Sequence, residues 1–276
     1  MGRKKRNYTG DSVSARVITE RIYEKRLIEI ALTRFEWNGL PDNIYQGLLE
    51  KTLFYNGCGI FFKDDVLGHL FLRCNLTGNF DVNGIPVLRD AYADNGYHIR
   101  RNPSNSVIIF NNMLHDSDYE TIRYFANKIA QIDRVIAVNS NAQKTPILIK
   151  CSQNELLTFK NLYAEYEGDT PVIFGDKSLN ANNVSVLKTD APYMCDKLYL
   201  LKMQYWNEAL SFLGVTNSNF IKKERLVSAE AEIANGGTYA SRCTGLAERE
   251  KACKQINEMF GLNLSVKFRH DINAEM

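Results

Sequence analysis

Asp64-Asp65, Asp118 and four scattered histidines are the residues in this 276-residue chain whose types could hold a metal ion or move a proton. Paired carboxylates can bind a divalent cation, which activates water for attack on a phosphodiester. Adjacent strand residues, however, point to opposite faces, and Lys63-Asp64-Asp65 has the composition of a turn. Asp116 and Asp118 flank Ser117, where negative charge suits a helix N-terminus without any metal. His69, His98, His115 and His270 stand at no metal-ligand spacing from a cysteine or from each other. Asn56-Gly57-Cys58-Gly59 contains G-x-G, but Phe62 occupies the place of the third glycine of a dinucleotide-binding loop. No Walker A pattern and no G-x-S-x-G nucleophile elbow occurs. The residues therefore predict no catalytic constellation, no metal site and no cofactor.

Polyanion binding is the chemistry the residues support better. Arg3-Lys4-Lys5-Arg6 heads a segment, residues 1–26, with eight basic residues against three acidic ones, a charge of +5. The remaining 250 residues carry 26 basic and 29 acidic side chains, a charge of −3. A basic arm on a slightly acidic body suits a grip on nucleic acid by the arm alone, although a solvated tail has the same composition. Lys222-Lys223-Arg225 reads equally as charge compensation after a helix, and Arg100-Arg101 before Asn102-Pro103 as a solvated turn. Lys188 and Lys197 flank the start of a helix in VLKTDAPYMCDKLYLLKMQYWNEALSFLG, residues 186–214. On one chain they are two solvated charges, and only repetition around an axis would give them force.

Apolar residues make up 45% of the chain and charged residues 24%, so a sizeable core is available and disorder is not the default. No run of eighteen apolar residues predicts a membrane span, and MGRKKRNYTG lacks the apolar region of a secretion signal. The six cysteines (58, 74, 151, 195, 243 and 253) show no C-x-x-C spacing, which fits reduced thiols in cytosol.

These residues need positioning elements. Apolar spacing predicts a helix over 17–37 and a second over 41–55, stopped by Gly57. From Cys58 to Phe110, short apolar runs (GIFF, HLFLRC, VLR, SVIIF) broken by KDD, TGN, NG and NPSN predict strands, with Asn83-Gly84 a tight turn. Ser117 and Glu120 form an S-x-x-E capping box before the stripe Ile122, Phe125, Ile129, Ile132 and Ile136. Residues 145–190 read as an α/β insert with strands at TPILIKC, TPVIFG and VSVLK around a short helix. A long helix then runs over 192–213, capped by Thr189 or Asp190, with Pro192 in its first turn, the stripe Met194, Leu198, Leu201, Tyr205, Ala209 and Phe212, and Gly214 as its end. Gly236-Gly237 and many small polar residues predict a long loop over 228–246, followed by a helix over 246–260 and a strand over 264–268.

This order of elements, with RFEWNGLP (34–41), VNSNAQKTPILIK (138–150), YAEYEGDTPVIFG (163–175), LKTDAPYMCDKL (187–198), WNEALSFLG (206–214) and KKERLV (222–227), resembles the portal proteins of small short-tailed bacteriophages with protein-primed linear DNA. These are also called upper collar proteins or head–tail connectors. The resemblance covers about residues 3–272. It implies an α+β portal fold: a basic arm (1–16), a wing (17–115), a stem helix (116–140), a clip (141–190), a second stem helix (191–214) and a tunnel loop with a wing- or crown-side helix and strand (215–276). It further implies a non-enzymatic homo-dodecameric ring in the virion, at the vertex between head and tail, assembled in the host cytoplasm. Double-stranded DNA would be packaged and ejected through its channel. Implied partners are a packaging ATPase, a lower collar or tail protein, the major capsid and scaffold proteins and, in some members, a packaging RNA. By the same resemblance Lys188, Lys197 and Arg242 face the DNA channel, and Arg3, Lys4, Lys5 and Arg6 contact RNA or DNA. The sequence departs from the family in the tunnel loop, where Gly236-Gly237 and Cys243 are gained, and in ending at Met276. Two other readings stay open: a metal-dependent nucleic-acid enzyme using Asp64, Asp65 and Asp118, and a small nucleic-acid-binding module using only the arm.

Overall fold

The apolar runs between Cys58 and Phe110 are continuous where a one-sided strand would alternate, and the computed structural model shows why. Residues 8–143, 147–151, 172–176, 192–216 and 228–269 are described. Five antiparallel strands, β2 (Cys58–Asp64), β3 (Gly68–Phe80), β4 (Pro86–Tyr92), β5 (His98–Arg101) and β6 (Ser106–Phe110), form one sheet in the order β5-β4-β3-β2-β6. Cys58, Ile60 and Phe62 of β2 and Ile108 and Phe110 of β6 enter a cluster on one face. Phe61, Val107 and Ile109 enter a second cluster on the other. With both faces buried, period-2 alternation disappears from the sequence.

β5 and β6 lie at opposite ends of that order, yet only Asn102–Asn105 separate them. The sheet must therefore curl on itself. Arg89 on β4 donates to the carbonyl and hydroxyl oxygens of Ser106 on β6, Arg101 to Lys63 O at 3.4 Å, and the Tyr97 hydroxyl to Asp64. The β3–β4 turn forms at the predicted place: Asp81 Oδ1 accepts from Asn83 and Ile85 N–H at 2.8 Å, and Gly84 sits at φ 75°.

Helices pack on the face of this curled sheet that carries Phe61, Phe71, Val107 and Ile109. α1 (Tyr8–Thr33) ends earlier than predicted, where the Thr33 hydroxyl turns back to Glu29 O at 2.9 Å. Residues Phe35–Asn38 correct the sequence reading, because they are a strand, β1, paired with β9 (Ser265–Phe268). Phe35 and Trp37 are buried while Glu36 and Asn38 are more open, a period-2 pattern too short to be read against the helix before it. α2 (Gln46–Asn56) starts after a turn at Pro41–Ile44 and stops at Gly57, whose φ of 74° and N–H to Leu53 O bond form the predicted end. The Gln46 side chain donates to Phe35 O at 2.9 Å and accepts from Trp37 N–H at 3.4 Å, standing in for a third strand along β1.

α3 (Tyr119–Ala142) begins where predicted, but the capping box does not close. Ser117 Oγ accepts from Tyr119 N–H at 3.1 Å, Ser117 N–H donates to Asp116, and Glu120 pairs with Arg123. Two compact units divide the chain: residues 1–130 with 204–276, and residues 131–203. In the first, Leu27, Ala31, Phe54, Ile122, Ala126, Ile129, Ala209 and Leu213 form the helical core, with Trp206 under the Arg26 guanidinium at 4.8 Å. In the second, β7 (Ile147–Cys151) and β8 (Val172–Asp176) pair in parallel. The predicted helix within 152–171, the VSVLK strand and the Thr189 and Asp190 caps lie outside the described residues.

α4 (Cys195–Phe212) starts three residues later than predicted. Asn139 of α3 serves as its cap: Oδ1 accepts from Met194 N–H at 2.9 Å and Nδ2 donates to Pro192 O at 3.0 Å. The helix ends at Gly214, with Val215 N–H bonded to Leu210 O and Gly214 N–H to Ser211 O. Residues 228–246, read from the sequence as a loop, are instead helical and continuous with the next helix as α5 (Ser228–Phe260). Gly236 and Gly237 are exposed and would meet nothing if they carried a Cβ, so each costs the helix only about 1 kcal/mol. Packing of the residues that follow outweighs that cost. Thr238 is buried and hydrogen-bonded to Ser211, and Gly245 packs against Phe35.

Candidate nucleic-acid interface

Of the basic residues expected to meet nucleic acid, Lys197 and Arg242 fall within the described residues, while Arg100 and Arg101, read from the sequence as a solvated turn, are instead strand residues of β5, with Arg100 paired to Asp90 at 2.8 Å. Lys188, Arg3, Lys4, Lys5 and Arg6 lie outside the described residues. Lys197 stands in the first turn of α4, exposed, in the unit formed by residues 131–203. Its neighbour in that helix, Lys202, is committed to Asp133 of α3 at 2.7 Å and lies over the Tyr199 ring. The same unit exposes apolar side chains on both helices, Val135 and Val138 on α3 and Tyr199, Leu200 and Leu201 on α4.

Arg242 is employed within the chain. It lies half-buried on α5, its Nε donates to Gly214 O at 3.1 Å, and its guanidinium sits 4.3 Å above the Phe268 ring. It thereby joins the end of α4, the middle of α5 and β9. Nothing in the local sequence distinguishes this role from a lumen-facing charge, because both partners are distant in the chain.

The carboxylates weighed as metal ligands do not converge. Asp64 caps the β2–β3 turn, accepting from Val66 and Leu67 N–H at 3.0 Å. The hydrogen bond from Tyr97, then those two backbone donors, hold its carboxyl down to about 2. Asp65 beside it is exposed. Asp118 is buried in an ion pair with Arg34 at 2.6 Å. Among the described residues no three His, Cys, Asp or Glu side chains gather as a cation would need. His69 packs against Phe61 and His115 stacks on Phe110, two aromatic contacts in different parts of the sheet.

Sequence reasoning missed the strongest polar cluster, which is buried. Arg249 is fully buried on α5. It donates to Glu50 through Nε at 2.9 Å and Nη2 at 2.8 Å, to Asn111 O and Oδ1 at 2.8 and 3.1 Å, and to Gly245 O at 2.9 Å. Glu50 also accepts from Trp37 Nε1 at 2.8 Å, and the Arg249 guanidinium lies 4.0 Å from the Phe35 ring. Full pairing is what makes this burial tolerable. The cluster ties α2, β1, β6 and α5 together and so serves architecture rather than chemistry on a ligand.

Among the described residues no helix is long and apolar enough to cross a membrane. Among solved structures, the chain is similar to one described as the portal and tail of native bacteriophage P68, with a TM-score of 0.53 and 16% identity over 99% of this chain and 94% of that one. It also resembles an HK97 family phage portal protein from Corynebacterium diphtheriae, with a TM-score of 0.42 and 14% identity over 93% of each chain. The first likeness confirms the α+β portal fold expected from the sequence. The sequence pattern of the family described as Phage Connector (GP10) matches residues 10–273, and with nearly its whole length so matched, this chain belongs to the phage connector family.

Proposed function

We propose that copies of this chain close into a ring, a homo-dodecamer, at the vertex between the head and tail of a phage particle, and that double-stranded DNA passes through the ring during packaging and ejection. The observation that carries this reading is the family match over residues 10–273. The apolar side chains exposed on α3 and α4 leave surface available for contact between copies. In this reading a separate ATPase drives the DNA inward, the ring meets capsid and scaffold proteins on the head side, and a lower collar or tail protein docks on the other. The chain itself acts as a structural channel.

Lys197, exposed at the start of α4, and Lys188 line the channel as bands of positive charge. One lysine per copy is a weak phosphate contact. Repeated around an axis it becomes a continuous band, while the slightly acidic body keeps the duplex from being held fast. The variant carrying both Lys188→Ala and Lys197→Ala should keep the mass of the assembled ring and change its conductance and its retention of packaged DNA. Single-channel recording of the purified ring checks this, and indistinguishable traces from the double variant and the parent would sink the assignment.

The basic arm is a second nucleic-acid contact, to DNA or to a structural RNA. Deleting residues 2–8 should leave the ring intact and weaken RNA or DNA binding. The slope of log affinity against log salt should flatten by up to about 0.9 for each phosphate contact removed from duplex DNA. A titration with unchanged slope assigns the contact elsewhere.

A further inference from the structure

Neither the helices nor the nucleic-acid reading uses a pair of thiols carried by two adjacent strands of the curled sheet. Cys58 opens β2 and Cys74 lies on β3, both buried in one cluster with Ile60, Phe62, Ala91, Ile108 and Phe110. Ile60 pairs with Leu72, so two residues further along each strand Cys58 faces Cys74. Their sulfurs are 3.9 Å apart. Asn111 N–H bonds to Gly57 O, so the odd-numbered residues of β2 bond towards β6, and Cys58 bonds towards β3. Cys58 and Cys74 are therefore a hydrogen-bonded pair, with Cα atoms about 5.5 Å apart. Disulfides bridge Cα separations of about 4.4–6.8 Å, so small side-chain rotations suffice to close one here.

We propose that Cys58 and Cys74 form a peroxide-sensitive dithiol, in which hydrogen peroxide oxidises Cys58 to a sulfenic acid and Cys74 resolves it to a disulfide across the sheet. In the first step the Cys58 thiolate attacks one peroxide oxygen. The O–O bond breaks, the departing oxygen takes up protons and leaves as water, and the sulfur is oxidised by two electrons to S–OH. In the second step the Cys74 sulfur attacks the Cys58 sulfur. The S–O bond breaks, the departing hydroxide takes the Cys74 proton, and a second water leaves. Two thiols and one peroxide thus become one disulfide and two waters.

The environment sets the order of the two roles. Contact with the Cys74 sulfur draws the Cys58 thiol below its ordinary range, with burial opposing it. The same contact, reinforced by burial, pushes the Cys74 thiol upward. That direction favours Cys58 as the nucleophile and Cys74 as the resolving thiol. The bridge would close the chain from Cys58 to Cys74 around the β2–β3 turn and restrict the unfolded state, so the oxidised protein should unfold at higher denaturant concentration.

The test uses the full-length protein as purified. It is exposed to hydrogen peroxide, quenched, denatured, alkylated and mapped by mass spectrometry without reductant. The expected product is a peptide pair linked through Cys58 and Cys74, short of two hydrogens, which separates on reduction. In the Cys74→Ala variant, dimedone should capture the sulfenic acid at Cys58, whereas Cys58→Ala should yield no such adduct at Cys74. Recovery of both residues as alkylated thiols from the treated parent overturns the proposal. So does over-oxidised Cys58 beside a free Cys74. The map of the parent decides the matter even where a variant fails to fold.

Discussion

Replacing Arg249 with Met should cost about 3–5 kcal/mol. Most of that cost comes from what is left behind. Glu50 is 2% exposed and would keep one side-chain donor, Trp37 Nε1, in place of three. Asn111 O, Asn111 Oδ1 and Gly245 O would lose a donor as well. Against a domain stability of about 5–15 kcal/mol, such a loss removes a large share of the whole. Urea unfolding of the parent and Arg249→Met at one fixed protomer concentration checks it, because any association of copies would couple stability to concentration. Adding Glu50→Leu to Arg249→Met should recover much of the lost midpoint, since a buried pair replaced whole by apolar groups is often tolerated. A single variant with the parent's midpoint would mean that the cluster is spectator packing.

Gly214→Ala should cost about 3 kcal/mol, and Gly84→Ala only about 1–2 kcal/mol, although both glycines have nearly the same backbone. Gly214 sits at φ 74° and Gly84 at φ 75°, a conformation about 1–2 kcal/mol harder for alanine. They differ in what a methyl group would meet. At Gly214 it would lie 2.7 Å from Arg242 Cα and 2.9 Å from Arg242 N, backbone atoms that move only if α5 moves. At Gly84 it would meet nothing within 4 Å. Displacing α5 would strain the bond from Arg242 to Gly214 O and the Ser211–Thr238 hydrogen bond, each worth about 1 kcal/mol. Equal urea midpoints for the two variants would show that the close approach of α4 and α5 is not what requires glycine at 214.

The sequence by itself determined the elements whose cause is local. Gly57 and Gly214 end their helices because only a residue at ease with positive φ can close the last turn there. Asp81 and Asn83-Gly84 form their turn from their own side-chain and backbone bonds. Of the stripe Ile122, Phe125, Ile129, Ile132 and Ile136 on α3, Ile122, Ile129 and Ile132 are buried, and Phe125 and Ile136 are half-buried. The family was legible too, because several contiguous stretches resemble one group of proteins, and the match over residues 10–273 bears that out.

Tertiary structure alone decided the rest. Phe35–Asn38 is a strand because Ser265–Phe268, more than two hundred residues away, pairs with it, and no local period announces such a partner. Residues 236–246 are helical in spite of two glycines because Thr238, Arg242 and Gly245 each find a contact distant in sequence. Arg242 and Arg249 lie seven residues apart on one helix, yet the first bonds to the end of α4 and the second is buried in an ion pair with Glu50. Composition gave both the same charge. Burial and partners, which depend on where the whole chain returns, assigned them their work.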